Sequence, residues 1–174
     1  MAILKKKFFT IETSVLKNPL EVYATSLEDA IGRHIKMDMT RQLKGKNLEA
    51  VFEIVKKDDK VIAQIISAVV SPSYIRRIIR KSISYIEDSF LCKSQDANLR
   101  IKFFMMTRKK IHRSLRNALR LKAIEILTDI CKDSNSDTIF MNIFETSLQK
   151  DLSLKLKKLY PLAFCEIRAI KVEK

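Results

Sequence analysis

Glycine is nearly missing from this chain: its 174 residues include two, beside three prolines, three cysteines, two histidines and no tryptophan. So little glycine excludes a phosphate-cradling P-loop and a dinucleotide fingerprint, where the backbone must approach a phosphate closely. It also excludes the RNA-recognition motif, whose signature combines glycine with aromatics. His34 and His112 lie far apart and share no metal-ligand spacing. Cys92, Cys131 and Cys165 are odd in number and widely spaced, so neither a disulfide framework nor a zinc knuckle is expected. They read as isolated, small buried hydrophobes in a reducing, cytoplasmic setting. Zinc-finger spacing and a heptad zipper are absent, which removes the common DNA-reading motifs. No apolar run is long enough to cross a membrane; the longest, residues 61–70, is interrupted by Gln64. The opening Met-Ala-Ile-Leu-Lys-Lys-Lys places its charges after a very short apolar stretch, the reverse of a signal peptide. Carboxylates are scattered and mostly flanked by lysine, as solvated ion pairs are. No catalytic residue, metal or cofactor is therefore expected.

What the chain has in quantity is positive charge and apolar side chains. Thirty-four Lys and Arg face 20 Asp and Glu, a formal net charge of +14. A surplus of this size attracts polyanions, because each phosphate neutralised releases condensed counterions. The hydrophobic fraction of 47% supports a real core, and 31% charged residues is too high for a membrane protein. The length suits one ordinary domain.

Periodicity divides the chain near Ser71. Residues 8–12 and 22–25 read as short strands. A single helical turn is expected at 27–31, with Ser26 as cap and Gly32 as its end. Residues 34–40 alternate, with Ile35, Met37 and Met39 on one face, and so predict a half-buried strand. A loop at 43–47 leads to a hairpin of 48–56 and 61–70 through the polar turn at 57–60. The second strand is apolar on both faces and is expected to lie centrally.

Ser71-Pro72 is a helix-start signal, a capping hydroxyl before proline at the first helical position. Ile75, Ile78, Ile79, Ser82, Ile83, Ile86 and Phe90 then recur at helical spacing, which predicts a long helix. After a loop at 93–98, residues 99–106 alternate as a strand, with Leu99, Ile101, Phe103 and Met105 on one side. Helix formers run from 108 to 132, with Ile111, Leu115, Ala118, Leu119, Lys122, Ile126 and Ile130 marking the buried face. Further helices are expected at 138–144 and 147–159, the latter stopped by Tyr160-Pro161. A last strand covers 164–172. The fold class is α+β: a mixed β-barrel or curled sheet with packed basic amphipathic helices. Residues 1–70 would form the mainly β part and 71–174 the helical and returning-strand part of one compact domain.

Charge is concentrated. Between Ser71 and Lys122 stand 14 basic residues against three acids, Glu87, Asp88 and Asp96. Arginine is prominent, and its planar fork holds phosphate oxygens bidentately and stacks on bases. Arg113, Arg116 and Arg120 are spaced to share one helix face opposite the apolar one. The candidate RNA contacts are Arg76, Arg77, Arg80, Lys81, Arg108, Lys109, Lys110, His112, Arg113, Arg116 and Arg120. Phe8, Phe9, Phe103 and Phe104 lie near basic residues, but alternation assigns some of them to the core.

Several segments together resemble a known family. Lys6-Lys7-Phe8-Phe9-Thr10-Ile11, Asp29-Ala30-Ile31-Gly32-Arg33, Ser73-Tyr74-Ile75-Arg76-Arg77-Ile78-Ile79-Arg80-Lys81 and Thr107-Arg108-Lys109-Lys110-Ile111-His112 follow in order. The close is the most distinctive: Leu159-Tyr160-Pro161-Leu162, then Glu166-Ile167-Arg168 and Lys171-Val172. In order and spacing they resemble the archaeal and eukaryotic small-subunit ribosomal protein family called S-three-A-e, also known as the eukaryotic-type S-one family.

The resemblance implies a barrel-like domain packed with helices and a structural role in translation. Its implied partners are small-subunit ribosomal RNA and neighbouring platform proteins, near the mRNA exit, with no membrane. A glycine common in the family before the strand at Leu99 is replaced here by Gln95-Asp96-Ala97-Asn98, where Asn98 tolerates a left-handed conformation. The long charged extensions of eukaryotic members have no counterpart, which favours an archaeal or reduced version. Two alternatives share the composition: a non-ribosomal RNA-binding regulator, and an RNA-processing enzyme with His112 as the residue to inspect.

Overall fold

The structure is a computed structural model that describes residues 6–16, 19–41, 43, 45–57 and 60–173. It has eight strands and four α-helices among those residues. The strands are β1 (Lys7–Thr13), β2 (Leu20–Ala24), β3 (His34–Asp38), β4 (Leu48–Lys57), β5 (Lys60–Val70), β6 (Tyr85–Lys93), β7 (Asn98–Thr107) and β8 (Leu162–Glu173). The helices are α1 (Pro72–Ile78), α2 (Arg113–Asp133), α3 (Ser136–Phe144) and α4 (Ser147–Leu156).

β5 is the hub, as its two-faced apolar character predicts. One edge pairs antiparallel with β4 along its length. The other pairs parallel with β1 at Ile62 and Ala63, then antiparallel with β8 from Ser67 to Val69. From β8 the sheet continues through β7 to β6, while β2 extends β1 and β3 extends β4. The sheet is mixed, branched and open: pairing among the described residues does not close it into a barrel. A register shift opposite Val51 and Phe52 leaves Ile66 unpaired, so the buried positions of β5 change parity, from Ala63 and Ile65 to Ala68 and Val70.

The single turn after β2 is a 3₁₀ turn, Glu28–Ala30, and the Asp29 N–H donates to Ser26 Oγ at 3.2 Å. Gly32 follows at φ +80°, where a side chain would be strained. The expected turn at 57–60 and loop at 43–47 include residues 58, 59 and 44, which lie outside the described residues.

Four expectations need correction. The helix beginning at Pro72 ends at Ile78, and Tyr85–Lys93 is a strand. Helical spacing of the isoleucines was coincidental; pairing with β7 across nine residues wins over local periodicity. Ser71 makes no side-chain cap; its carbonyl instead accepts the Tyr74 N–H at 3.1 Å. α2 begins at Arg113, not at 108, and its buried face runs through Leu119, Ala123, Ile126, Leu127 and Cys131, leaving Ala118 and Lys122 exposed. Asn98 is not left-handed; it pairs with Lys93, and the turn before it is closed by the Ser94 N–H donating to the Ala97 carbonyl at 2.9 Å.

The core spans sheet and helices. Phe103, Phe104, Met105 and Met106 are all fully buried, so both faces of β7 are covered there. α2 packs on β6 and α4 on β8, the two strands flanking β7. Burying each such large side chain stabilises by roughly 1.5–3 kcal/mol. All three cysteines are buried and free. Cys92 and Cys131, remote in sequence, become neighbours between β6 and α2, and the Cys92 thiol donates to the Leu99 carbonyl at 3.5 Å. The neighbouring Cys92 thiol and burial push the Cys131 thiol above its ordinary range. Burial pushes Cys165 up to about 12.

Candidate nucleic-acid interface

The cationic residues sit on two segments that leave the sheet and one helix that returns to it. α1 buries Ile75 and half-buries Tyr74 and Ile78, which directs Arg76 and Arg77 outward. The Arg77 guanidinium lies 5.9 Å from the centre of the Tyr74 ring, a cation–π contact. Ile79 turns extended, so Arg80 and Lys81 project from the loop before β6 and not from the helix.

Arg108, Lys109 and Lys110 occupy the loop from β7 to α2. A buried polar node fixes that loop. Thr107 is fully buried and Ser84 nearly so. The Thr107 hydroxyl accepts the Ser84 N–H at 3.1 Å and donates to the Lys109 carbonyl at 2.6 Å. Ser84 Oγ accepts the Ile111 N–H at 3.0 Å, and the Thr107 N–H donates to the Ser84 carbonyl at 3.1 Å. The node ties the start of β6 to the head of α2, so the Arg80–Lys81 and Arg108–Lys110 loops are held by the same two side chains.

α2 then opens against the usual electrostatic rule. His112 holds its N-cap position without a side-chain cap, Arg113 is its first residue, and no acid stands in its first turn. Cations at the positive end of a helix dipole cost about 0.3–1 kcal/mol each. Arg113, Arg116 and Arg120 do share one face, lining a groove of about 610 Å³ with Tyr85, Ile86, Glu87, Ser114 and Asn117. The Tyr85 hydroxyl donates to Glu87 at 2.6 Å, and Glu87 also pairs with Arg168. Burial and then this bond push the Tyr85 phenol up to about 12.

A second groove, of about 480 Å³, brings Arg77, Arg80 and Arg108 together with Ile78, Ser82, Ile83, Ala163 and Phe164. Of the eleven predicted contacts, Arg120 alone forms an ion pair among the described residues, with Asp88 at 3.5 Å. It also donates to Asn117 at 3.1 Å, so its role is partly structural.

Two residues of these grooves escape sequence reasoning. Helical spacing places Tyr85 in the helix that begins at Pro72, but that helix ends at Ile78 and Tyr85 opens β6. Phe164 is 43% exposed although Leu162, two residues earlier, is buried. A register shift between Met106 and Thr107 leaves Ala163 unpaired and separates the two environments. An aromatic two residues from a buried leucine in a strand reads as core unless the bulge is known.

His112 is exposed and bonds to no carboxylate among the described residues. His34 lies elsewhere, on β3, lining a groove with Ile66, Lys171, Val172 and Glu173. Among the described residues, no group of three His, Cys, Asp or Glu side chains could hold a metal ion, and no helix is long and apolar enough to cross a membrane.

The fold and its surface thus define a small, basic α+β protein whose open grooves are lined by cations that, Arg120 apart, form no ion pair among the described residues. Within that class the family is shown: the chain belongs to the ribosomal S3Ae family, whose sequence profile matches residues 2–174. A protein of Nanoarchaeum equitans named small ribosomal subunit protein eS1 is 25% identical, the match covering 97% of this chain and 89% of that one. Proteins of the same name from Saccharolobus islandicus and Saccharolobus solfataricus are also 25% identical, over 97% of this chain and 85% of theirs.

Proposed function

We propose that this protein is a structural constituent of the small ribosomal subunit, supporting translation as a scaffold for ribosomal RNA in the cytoplasm and not as an enzyme. The family match from residue 2 to residue 174 supports the ribosomal role, as do relatives named as small-subunit proteins. The observation that carries RNA contact is the set of cations without carboxylate partners among the described residues: Arg76, Arg77, Arg80, Lys81, Arg108, Lys109, Lys110, Arg113 and Arg116. Arginines with no counter-charge among the described residues, held on a fixed loop and at a helix head, suit phosphate oxygens better than solvent. Such contacts read backbone and shape, not sequence. Arg120 contributes less, being shared with Asp88, and His112 adds a donor beside Arg113. Neighbouring platform proteins complete its surroundings.

Sedimentation of a native extract through a salt-washed sucrose gradient tests the role. Stoichiometric co-migration with small subunits is the expected result. A position at the top of the gradient, with intact subunits free of the protein, overturns the ribosomal reading and favours a free RNA-binding regulator. Affinity for RNA should also fall roughly a thousandfold between low and physiological salt if about six phosphates are engaged.

A further inference from the structure

We propose that the groove between α1 and β8 is a site for an unpaired nucleotide of single-stranded RNA. The base stacks on Phe164, and Arg77, Arg80 and Arg108 hold the flanking phosphates. The inference rests on the RNA-binding reading above and assigns this groove a ligand class of its own.

The groove combines two chemistries that a duplex cannot satisfy together. Phe164 presents an apolar ring that is 43% exposed. Around it stand three guanidinium groups with no ion pair among the described residues, and no carboxylate is among its described lining residues. In an A-form duplex the bases are stacked inside and the deep major groove is closed to side chains, so only its phosphates could reach the arginines. A single strand offers phosphate and base face together, and base–aromatic stacking tolerates any sequence. The volume of about 480 Å³ lies within the range of small-ligand sites and accommodates a nucleotide.

The α2 groove differs on each count. Glu87 lies in its wall, and its aromatic, Tyr85, is half-buried with its hydroxyl committed to Glu87. It can follow a sugar–phosphate backbone but offers no free ring. The two grooves therefore divide the work: backbone along α2, an unstacked base at Phe164. The bulge at Ala163 is the backbone device that turns the ring outward.

The chain has no tryptophan, so Phe164→Trp introduces a single reporter at the site. Binding of a short oligouridine, roughly a dozen nucleotides long, is compared with that of an RNA duplex of equal length by fluorescence anisotropy. F164A should weaken single-strand binding roughly 5–150-fold, the stacking contribution of one base, and change duplex binding less than about twofold. The indole emission of F164W should be quenched by oligouridine and not by the duplex at equal saturation. Equal effects of F164A on both RNAs, or no quenching, overturn the inference while leaving RNA binding intact. Quenching by polyglutamate but not by oligouridine assigns the groove to an acidic protein segment and also overturns it. If the wild-type chain binds neither RNA, the RNA-binding reading itself fails, a separate outcome. Unchanged thermal unfolding of F164A excludes misfolding as the cause of lost affinity.

Discussion

Replacing Thr107 by valine tests whether the Ser84–Thr107 node holds the cationic loop. The two side chains have similar shape, so the change opens little space, but it removes the oxygen that accepts the Ser84 N–H at 3.1 Å and the proton given to the Lys109 carbonyl at 2.6 Å. Thr107 is fully buried, and water cannot readily replace the lost acceptor. A buried donor left unpaired costs about 1–3 kcal/mol. For a chain of this length each kcal/mol lowers Tm by about 2–4 °C, so T107V should melt roughly 2–12 °C below wild type. Urea unfolding should show a lower midpoint with an unchanged slope. Ser84→Ala removes the acceptor of the Ile111 N–H in the same loop. The double variant should therefore be non-additive by about 0.5 kcal/mol or more, as expected for side chains in one network. Stability within about 0.5 kcal/mol of wild type, the range of an ordinary surface substitution, would refute the node.

Arg113→Glu replaces a cation by an acid at the positive end of α2. It should raise stability slightly, by about 0.3–1 kcal/mol, while weakening RNA binding; a variant that is both less stable and equally tight in binding contradicts the trade. Arg120→Glu differs, because it brings a carboxylate up to half-buried Asp88. It should lower the urea midpoint, which R113E does not. Tyr85→Phe tests the raised phenol. The folded phenol titrates near 12 and the unfolded one near its ordinary 10, so in that window the unfolded chain binds fewer protons. Stability from this group is present below pH 10 and lost as pH rises through 12. Wild type should lose more stability than Y85F between those values, and parallel curves would remove Tyr85 as the source.

Strand positions were largely legible because hydrophobic alternation and β-branching agreed with the final pairing. β4 and β5 show this: the hairpin expected at 48–56 and 61–70 is present, and the alternating Ala50, Phe52 and Ile54 are buried. β6 was not legible. Its inward positions are Ile86, Asp88, Phe90 and Cys92, and Asp88 interrupts the apolar alternation. That carboxylate is matched by Arg120 on α2, a partner that no local window contains. The face of α2 was misjudged in part because alanine and leucine occur around the whole helix; Leu121 is 54% exposed, while Ala123 is buried. Composition and charge density located the cationic segments. They could not bring Arg108 beside Arg77 and Arg80, or turn Phe164 towards them, since both depend on β7–β8 pairing and its bulge.

The local rules that this chain breaks fall together. Elsewhere acids pair with bases, as Glu173 of β8 does with Arg100 of β7 and Glu166 with Lys46 at 2.5 Å. At the head of α2 and the loop before it, cations accumulate without acids, and the helix dipole adds to their repulsion. Left free, such a loop would spread its charges and be ordered only when a polyanion arrived, at an entropic cost to binding. The buried Ser84–Thr107 node prevents this by fixing the loop through backbone groups, independently of any ligand. Rigidity and charge density are thus supplied by different parts of the sequence: two small hydroxyl residues inside, and arginines and lysines outside. A phosphate backbone meeting this surface finds the positive groups already placed. On the proposed RNA-binding reading, the binding free energy then comes from charge neutralisation rather than being spent on ordering the protein.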